Sequence, residues 1–320
     1  MATLLRPPLP LAAQHLPLPH AELARAARLL VLRSRREATG LFAGNYRSAF
    51  RGGGLEYEAS RPWAPGDDVR SLDPRASARS GEPHVKIFRE ERDRELWLGL
   101  DVSGSMTFGS TGAAKAATAA HALALIASAA GRAGDRVGLL AFDARVREEV
   151  PLARGHTQSA RVIHAAVRAA AHSSGATDLR LAIQELRRRA ARRAVIVLFS
   201  DFRDPALAGD ALRRELAPLA HASDVVAAWL CDAREHALVA AGGVRVRDAE
   251  GASGLRLLAT GSARARARYA AAARERRTQL AGELRGAGAD WIELANDRSP
   301  LFALARFFQE RSGRRLGGAR

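Results

Sequence analysis

Cysteine, lysine and aromatic residues are scarce in this sequence. Cys231 is the only cysteine, so no disulfide can form within the chain and the redox compartment is unconstrained. Cys231 ends an apolar run, residues 225–230, which predicts a small buried hydrophobic side chain rather than a reactive thiol. Aromatic residues make up only 5% of the chain, but 47% of it is hydrophobic. The 320 residues therefore suffice for a sizeable core in one large domain or two ordinary ones.

Lysine is almost absent, although the formal net charge is +16. Only Lys86 and Lys115 are lysines, and every other basic residue is arginine against an alanine-rich background. The joint abundance of arginine and alanine indicates a GC-rich genome, so part of the positive charge reflects codon usage. A polyanion or nucleic-acid partner is the alternative explanation of the charge. The arginines of the predicted helix 262–286 spread around its circumference instead of forming one stripe, which weakens that alternative: Arg264, Arg266, Arg268, Arg274, Arg276 and Arg277.

Long hydrophobic runs are also missing. Prolines interrupt residues 1–20, which predicts an extended or flexible segment and no signal peptide. The longest alanine-rich stretch, residues 116–130, contains Thr118, His121 and Ser128 and is shorter than the ~20 apolar residues of a membrane span. We therefore expect a soluble, cytoplasmic protein.

Several catalytic motifs are absent as well. The sequence has no Gly-Lys-Ser/Thr phosphate-binding loop, and neither Ser103 nor Ser105 lies in a Gly-x-Ser-x-Gly elbow. A phosphotransferase with Asp101 as nucleophile would need a second acid nearby, where Ser103 stands instead. A metal-dependent hydrolase would need a general base that the sequence does not reveal. These absences favour a protein that is not an enzyme.

Apolar periodicity alternates between strand and helix from residue 94 onward. Predicted strands are 95–101, 136–142, 194–200, 224–231 and 289–294, with an antiparallel edge strand at 146–150. Predicted helices are 113–131, 157–171, 179–191, 205–221, 262–286 and 299–312, and residues 241–258 look like a hairpin. This alternation predicts an α/β fold, a mainly parallel sheet with helices on both faces.

An amphipathic helix at residues 21–36 and a turn-rich segment precede the sheet. Glycines, aromatic residues and opposite charges are densely mixed in residues 44–94, which predicts an ordered segment held by arginine–carboxylate bonds. Residues 84–88 look like a short strand leading toward the sheet. The predicted domains are a flexible N-terminus at 1–20, a helix and signature segment at 21–93, and the α/β domain at 94–314.

The stretch Leu96–Met106, LWLGLDVSGSM, joins a strand-length apolar run to Asp101, Ser103 and Ser105. An apolar run without polar alternation is typical of a strand buried on both faces. The carboxyl ends of such strands form the edge where open α/β sheets bind ligands. A carboxylate and two hydroxyls are hard oxygen ligands, which suit a magnesium-like ion.

Two further stretches reach the same edge of the predicted sheet. Thr177 lies just before a predicted helix, and Asp201 follows the apolar strand ending at Ser200. Four of the residues, taken alone, are also candidate helix caps: Asp101, Ser105, Thr177 and Asp201. The joint placement of all five at strand ends predicts a single site for Mg²⁺, Mn²⁺ or Ca²⁺: Asp101, Ser103, Ser105, Thr177 and Asp201. Since hydroxyl ligands are neutral, the bound ion would stay electrophilic enough to take a carboxylate from a partner protein.

At these residues the sequence resembles the von Willebrand factor type A domain with its metal-ion-dependent adhesion site. More narrowly, it resembles the bacterial domain-of-unknown-function 58 family. The residues that carry this narrower resemblance are Gly54-Leu55-Glu56-Tyr57, Arg61-Pro62-Trp63, Pro65-Gly66-Asp67-Asp68-Val69-Arg70, Leu72-Asp73, Ala78-Arg79, Val85-Lys86, Phe88 and Glu90-Glu91. Two departures are Pro74, where tryptophan is usual, and Ala233-Arg234, where a proline–glutamate pair is usual.

The resemblance implies specific roles for the five residues. Ser103, Ser105 and Thr177 would be direct metal ligands, whereas Asp101 and Asp201 would act through bound water. It also implies a function as a metal-dependent adaptor that works with a MoxR-type AAA+ ATPase in protein maturation or complex assembly. A client protein would then supply a carboxylate to the metal.

Overall fold

The computed structural model describes residues 20–50, 55–68, 71–90, 94–110, 113–246, 249–250 and 256–317. The predicted flexible N-terminus, up to residue 19, lies outside these residues. The chain divides into two compact units, one comprising residues 51–94 and the other comprising residues 1–50 together with 95–320.

The helices and strands follow one another in a regular order. They are α1 (His20–Glu37), α2 (Leu41–Ala49), β1 (Leu55–Pro62), α3 (Pro74–Ser80), β2 (His84–Glu90), β3 (Glu95–Asp101), α4 (Lys115–Ala133), β4 (Arg136–Phe142), β5 (Val146–Ala153), α5 (Gly155–Ala171), α6 (Leu179–Arg189), β6 (Val195–Ser200), α7 (Ala211–Ala222), β7 (Asp224–Cys231), α8 (Ala233–His236), β8 (Gly243–Val246), β9 (Arg256–Ala259), α9 (Ala263–Gly286), β10 (Asp290–Ala295) and α10 (Pro300–Gly317). Among the described residues, no helix combines the length and apolar character that a bilayer span requires.

The larger unit is built on a six-stranded sheet with the order β10-β7-β6-β3-β4-β5. Neighbouring strands are parallel except for β5, which runs antiparallel to β4 at the edge. This confirms the predicted fold class, and the order is that of a doubly wound sheet. Strand β6 is buried at every residue, as expected for a central parallel strand, whereas β5 is largely exposed at alternate positions.

Helices cover both faces of this sheet. Alternate side chains of β3 point to opposite faces: Leu96 and Leu98 pack with apolar residues of α1, α2, α4, α5 and α10, whereas Trp97 packs with those of α6, α7 and α9. Helix α4 is buried at most of its positions, because α1, α2 and α5 cover its outer side. The small side chains of its many alanines allow α4 to pack closely between the sheet and these outer helices.

Several helices differ from the sequence-based expectation, and the short helices α3 and α8 are among those that were not predicted. Helix α7 begins at Ala211 and not at residue 205, because Pro205–Leu207 form a short 3₁₀ turn in which Ala206 N donates to the side chain of Asp204 at 2.8 Å. Helix α2 was not predicted. Its Phe42 and Tyr46 are buried against the Phe308 ring, at centroid distances of 5.6 and 5.7 Å, so tertiary packing stabilises this short helix.

Residues 51–94 form the smaller unit. Strands β1 and β2 pair antiparallel, so the predicted strand at residues 84–88 pairs within this segment. Arg61 donates to both carboxylate oxygens of Asp67, at 2.7 and 2.6 Å, which is an arginine–carboxylate bond of the expected kind. Elsewhere, β8 and β9 also pair antiparallel, which is the hairpin expected within residues 241–258.

Candidate functional site

Three loops meet at the carboxyl edge of the central strands. Strands β3 and β6 are hydrogen-bonded neighbours and end at Asp101 and Ser200. Backbone hydrogen bonds then hold the loop after β3 to the loop before α6: Gly104 N donates to Gly175 O at 2.8 Å, and Ser174 N donates to Val102 O at 2.9 Å. The parallel strand order therefore brings together segments that are far apart in the sequence.

Asp101 lies at the base of this site and is completely buried. Its Oδ1 accepts a hydrogen bond from Ser103 N at 2.9 Å, and its Oδ2 accepts one from Ser200 Oγ at 2.6 Å. Burial and the nearby charge of Asp201 raise the pKa of Asp101 to about 7. Ser200 was not predicted as a site residue, although a serine directly before Asp201 at a strand end was a usable signal.

The candidate metal-ligating oxygens of this site are close neighbours, namely those of Ser103, Ser105 and Asp201. The two serine hydroxyls lie 3.2 Å apart, and the Ser105 hydroxyl lies close enough to Asp201 to help lower the pKa of its carboxyl. Phe202 follows Asp201 in a left-handed backbone conformation, with φ of 52°. Phe202 N donates to Ser200 Oγ at 2.9 Å, and Ser200 Oγ donates to Asp101, so this local conformation is tied to the Asp101 carboxylate.

Lys115 is the main site residue that sequence reasoning missed. Its side chain is fully buried, and Nζ donates to Asp201 Oδ2 at 2.6 Å and to Glu235 Oε1 at 2.8 Å. Burial opposes ionisation of Asp201, but the Lys115 ammonium outweighs it and lowers the pKa of this carboxyl below its ordinary value. The rarity of lysine in this arginine-rich chain was the only available signal.

Thr177 occupies the adjoining loop and bonds to an acid of the same chain. Its hydroxyl donates to Glu250 Oε1 at 2.9 Å, and its backbone N–H donates to Glu250 Oε2 at 3.4 Å. The helix-cap alternative for Thr177 does not hold, because Asp178 caps α6 by accepting a bond from Leu181 N. A Cβ atom at position 104 would lie 2.3 Å from Ala249 O, so Gly104 allows these two loops to approach closely.

The structure thus links Asp101, Ser103 and Ser105 by hydrogen bonds, places Asp201 close enough to change their electrostatics, and places Thr177 on a loop bonded to that of Ser103. The side chains of the five predicted residues offer oxygen atoms as ligands, which is the set that suits Mg²⁺ or a similar hard cation. Ser103 and Ser105 offer a close hydroxyl pair, and Asp101 and Asp201 lie buried behind them. The residues therefore fit a divalent cation, and their assignment as metal ligands stays a prediction.

Comparison with known proteins places the chain in a family. The sequence profile described as "Protein of unknown function DUF58" matches residues 59–279. The uncharacterized protein Rv1480 of Mycobacterium tuberculosis is 34% identical over 301 residues, which cover 93% of this chain and 92% of that protein. The uncharacterized protein MAV169 of Mycobacterium avium is 33% identical over 141 residues, which cover 44% of this chain and 80% of that protein.

Two solved structures are similar at lower identity. An aerotolerance-related membrane protein from Bacteroides fragilis is 13% identical, covers 68% of this chain and 99% of its own, and has a TM-score of 0.44. The VWA domain of SpRpn10 is 11% identical, covers 67% of this chain and 94% of its own, and has a TM-score of 0.36. The profile match and the long Mycobacterium alignment confirm the resemblance seen in the sequence: this chain belongs to the DUF58 family.

Proposed function

We propose that this protein is a non-enzymatic, divalent-metal-dependent interaction module that binds an acidic side chain of a partner protein. The observation that carries this proposal is the hydrogen bond from the Thr177 hydroxyl, a predicted metal ligand, to the carboxylate of Glu250. An acid of the same chain at this position supports a surface suited to carboxylates. The hydroxyl pair of Ser103 and Ser105, on the loop bonded to that of Thr177, supports the same conclusion.

In this proposal Ser103, Ser105 and Thr177 hold the cation through their hydroxyls. The bound cation supplies an electrophilic position for the partner's carboxylate. Asp101 and Asp201 remain buried behind the hydroxyls, where Ser200 and Lys115 hold their carboxylates in place. Since Lys115 neutralises Asp201, the site carries less negative charge than two free carboxylates would give it, and an incoming acid is repelled less.

In this proposal the protein has no catalytic role. Within the described residues, the basic side chain bonded to the acids of the site is Lys115, and its ammonium is engaged by two carboxylates. A lysine held charged in this way does not act as a general base. The Glu250 carboxylate accepts a hydrogen bond from Thr177, which favours a role as an internal carboxylate at the binding surface over a role as a general base.

As the partner we propose a MoxR-type AAA+ ATPase, with a client protein that supplies the carboxylate, in cytoplasmic protein maturation or complex assembly. The support is the family resemblance of the signature segment. The alternative, a polyanion binder, loses support because three α9 arginines make intramolecular contacts: Arg266 with Thr260 O, Arg276 with Phe202 O, and Arg277 with Glu293.

The test is a pull-down between this protein and the MoxR-type ATPase of the same genome, with Mg²⁺ and with chelator. Chelator alone is ambiguous, because the ATPase itself uses Mg²⁺ with its nucleotide. The decisive comparison is therefore Thr177→Val against Thr278→Val, since Thr278 is exposed and bonds only along its own helix, to Arg274 O. We expect Thr177→Val alone to abolish capture.

Equal capture by wild type and a folded Thr177→Val variant, in the presence and absence of chelator, would reject the metal-bridged interaction. The polyanion alternative is tested separately by a gel shift at low and moderate salt. Binding through phosphates weakens steeply as salt rises. A salt-sensitive shift without capture of the ATPase would favour that alternative.

A further inference from the structure

A second cluster of metal-ligating side chains lies on β7, α8 and β10. Cys231 ends β7, His236 ends α8, and Glu293 lies in β10, the neighbouring strand. Cys231 Sγ lies 3.7 Å from Glu293 Oε1, and His236 Nε2 lies 3.8 Å from the same oxygen. One ligand atom from each of the three residues can be chosen so that all lie within 4.8 Å of one another.

These separations are close to those around a tetrahedral zinc ion. With zinc–sulfur and zinc–oxygen or zinc–nitrogen bonds of about 2.3 and 2.0 Å, donor atoms of a tetrahedral site lie roughly 3.3 to 3.6 Å apart. The two separations to Glu293 Oε1, 3.7 and 3.8 Å, exceed this range by a few tenths of an ångström. The remaining separation, between the ligand atoms of Cys231 and His236, is at most 4.8 Å, so side-chain movements of about an ångström would bring the three ligands to tetrahedral distances.

The two polar donors are oriented toward the cluster. His236 Nε2 is buried and has no hydrogen-bond partner among the described residues, which is costly for a ring nitrogen unless something else binds it. Glu293 Oε2 accepts a bond from Arg277 Nε at 2.8 Å, so the other oxygen, Oε1, remains directed at Cys231 and His236. Such an outer bond orients a ligating carboxylate.

The position of His236 is also fixed by its surroundings. Helix α8 is held by a capping box in which Asp232 accepts from Arg234 N at 2.7 Å and Glu235 accepts from Asp232 N at 3.0 Å. The Trp229 ring packs edge-on against the His236 ring, with centroids 5.8 Å apart. The imidazole is therefore held in place before any ion arrives.

We propose that Cys231, His236 and Glu293 bind a zinc-type transition-metal ion, at a site separate from the oxygen-only site of Asp101 and Ser103. A thiolate, an imidazole and a carboxylate are the ligand types that select zinc over magnesium. Binding forms a metal–sulfur bond and releases the thiol proton of Cys231 to solvent. The side chains of His236 and Glu293 are 34% and 30% exposed, so the fourth coordination position opens to water.

The charges around the thiol favour a cation. Burial, together with the charges of Glu293 and Glu235, raises the pKa of Cys231, whereas the Lys115 ammonium lowers it. The negative field that disfavours the bare thiolate attracts a divalent ion, which pairs with the thiolate and removes its cost. The positive charge of Arg277 would repel the ion, but Arg277 bonds to Oε2 of Glu293, the oxygen that does not face Cys231.

The test is a Co²⁺ titration of the full chain after chelator treatment, in buffer with excess Mg²⁺ to fill the oxygen-only site. Cobalt bound to a thiolate has a charge-transfer absorption, and Cys231 is the only cysteine, so this absorption reports on one residue. We expect a saturating absorption that Zn²⁺ abolishes by competition. Cys231→Ser should remove it, and Ser103→Ala should leave it unchanged.

Two further variants distinguish a three-ligand site from a lone thiol. His236→Gln and Glu293→Gln should weaken Co²⁺ binding at least tenfold, whereas the controls His221→Gln and Glu275→Gln, at exposed positions, should not. A second readout is proton release on adding Zn²⁺ to a weakly buffered sample, which is expected for wild type and not for Cys231→Ser. Absence of the absorption in wild type, or full-strength binding in folded His236→Gln and Glu293→Gln, would overturn the proposal.

Discussion

Lys115 Nζ donates to Asp201 Oδ2 at 2.6 Å, and both side chains are completely inaccessible to solvent. The same ammonium also bonds to Glu235 at 2.8 Å, so one cation at the start of α4 pairs with an acid directly after β6 and with an acid of α8. Removing each ion from water costs several kcal/mol, which pairing offsets only while all partners are present. This relationship keeps Asp201 ionised beneath the candidate site.

Replacing Lys115 by methionine should therefore destabilise the protein strongly. The substitution leaves the fully buried Asp201 without the Lys115 ammonium, and breaking such a buried pair costs about 3–5 kcal/mol. The free energy of unfolding, measured by denaturant titration, should fall by that amount. The control is Lys86→Met at the only other lysine, which is partly exposed and should change it by less than about 1 kcal/mol. Similar losses for both variants would contradict this role of Lys115.

Replacing Ser105 by alanine should weaken Mg²⁺ binding measured by calorimetry. A hydrogen bond or ligand contact to a charged group contributes about 1.5–3 kcal/mol, which corresponds to a roughly ten- to hundredfold rise in Kd. Ser262→Ala is the matched control, since this serine is exposed and caps α9 far along the chain. An unchanged Kd for Ser105→Ala would remove this serine from the predicted ligand set.

Replacing Glu250 by glutamine should strengthen capture of the partner at constant Mg²⁺. Glu250 bonds to the Thr177 hydroxyl and so competes with an incoming carboxylate. Weakening that competitor raises the fraction of binding-competent protein, with an expected gain of a few-fold to about tenfold in affinity. Glu275→Gln, on the exposed side of α9, is the charge-matched control. Weaker capture by Glu250→Gln would mean that Glu250 itself helps to hold the cation.

The smaller unit should lose stability in acid through Asp73. Hydrogen bonds from the Ser60 hydroxyl and from Ala76 N and Arg75 N lower the pKa of Asp73 to about 2. Because the folded pKa lies below the unfolded value of about 3.9, the stabilisation is complete above that value and disappears as pH falls toward about 2. Hydrogen exchange of β1 and β2 amides should accelerate across this range, after correction for the intrinsic pH dependence.

Asp73→Asn isolates the titration from the helix cap. Asparagine caps helices about as well as aspartate, so α3 should persist while the acid-dependent loss of stability disappears. An unaltered acid profile in this variant would assign the pH dependence to another carboxylate.

Much of the fold follows from local sequence patterns. Strands β3, β4 and β7 begin and end where the continuous apolar runs predicted, because a strand buried on both faces needs an unbroken run. Asp101, Ser103, Ser105 and Asp201 were predictable together, since parallel strands deliver their carboxyl ends to one edge. Helix α2 was not predictable, because its stability depends on aromatic packing with Phe308, far away in the sequence.

The sequence alone determined which oxygen-bearing residues follow which strands at this edge of the sheet. It also determined that no disulfide forms within the chain. Only the tertiary structure decided what surrounds them. Lys115 and Asp201 are 86 residues apart, and Thr177 and Glu250 are 73 apart. A lysine at a helix start and a glutamate in a hairpin have no local pattern that distinguishes a buried partner from a solvated side chain. Their roles follow from long-range packing, which no local periodicity encodes.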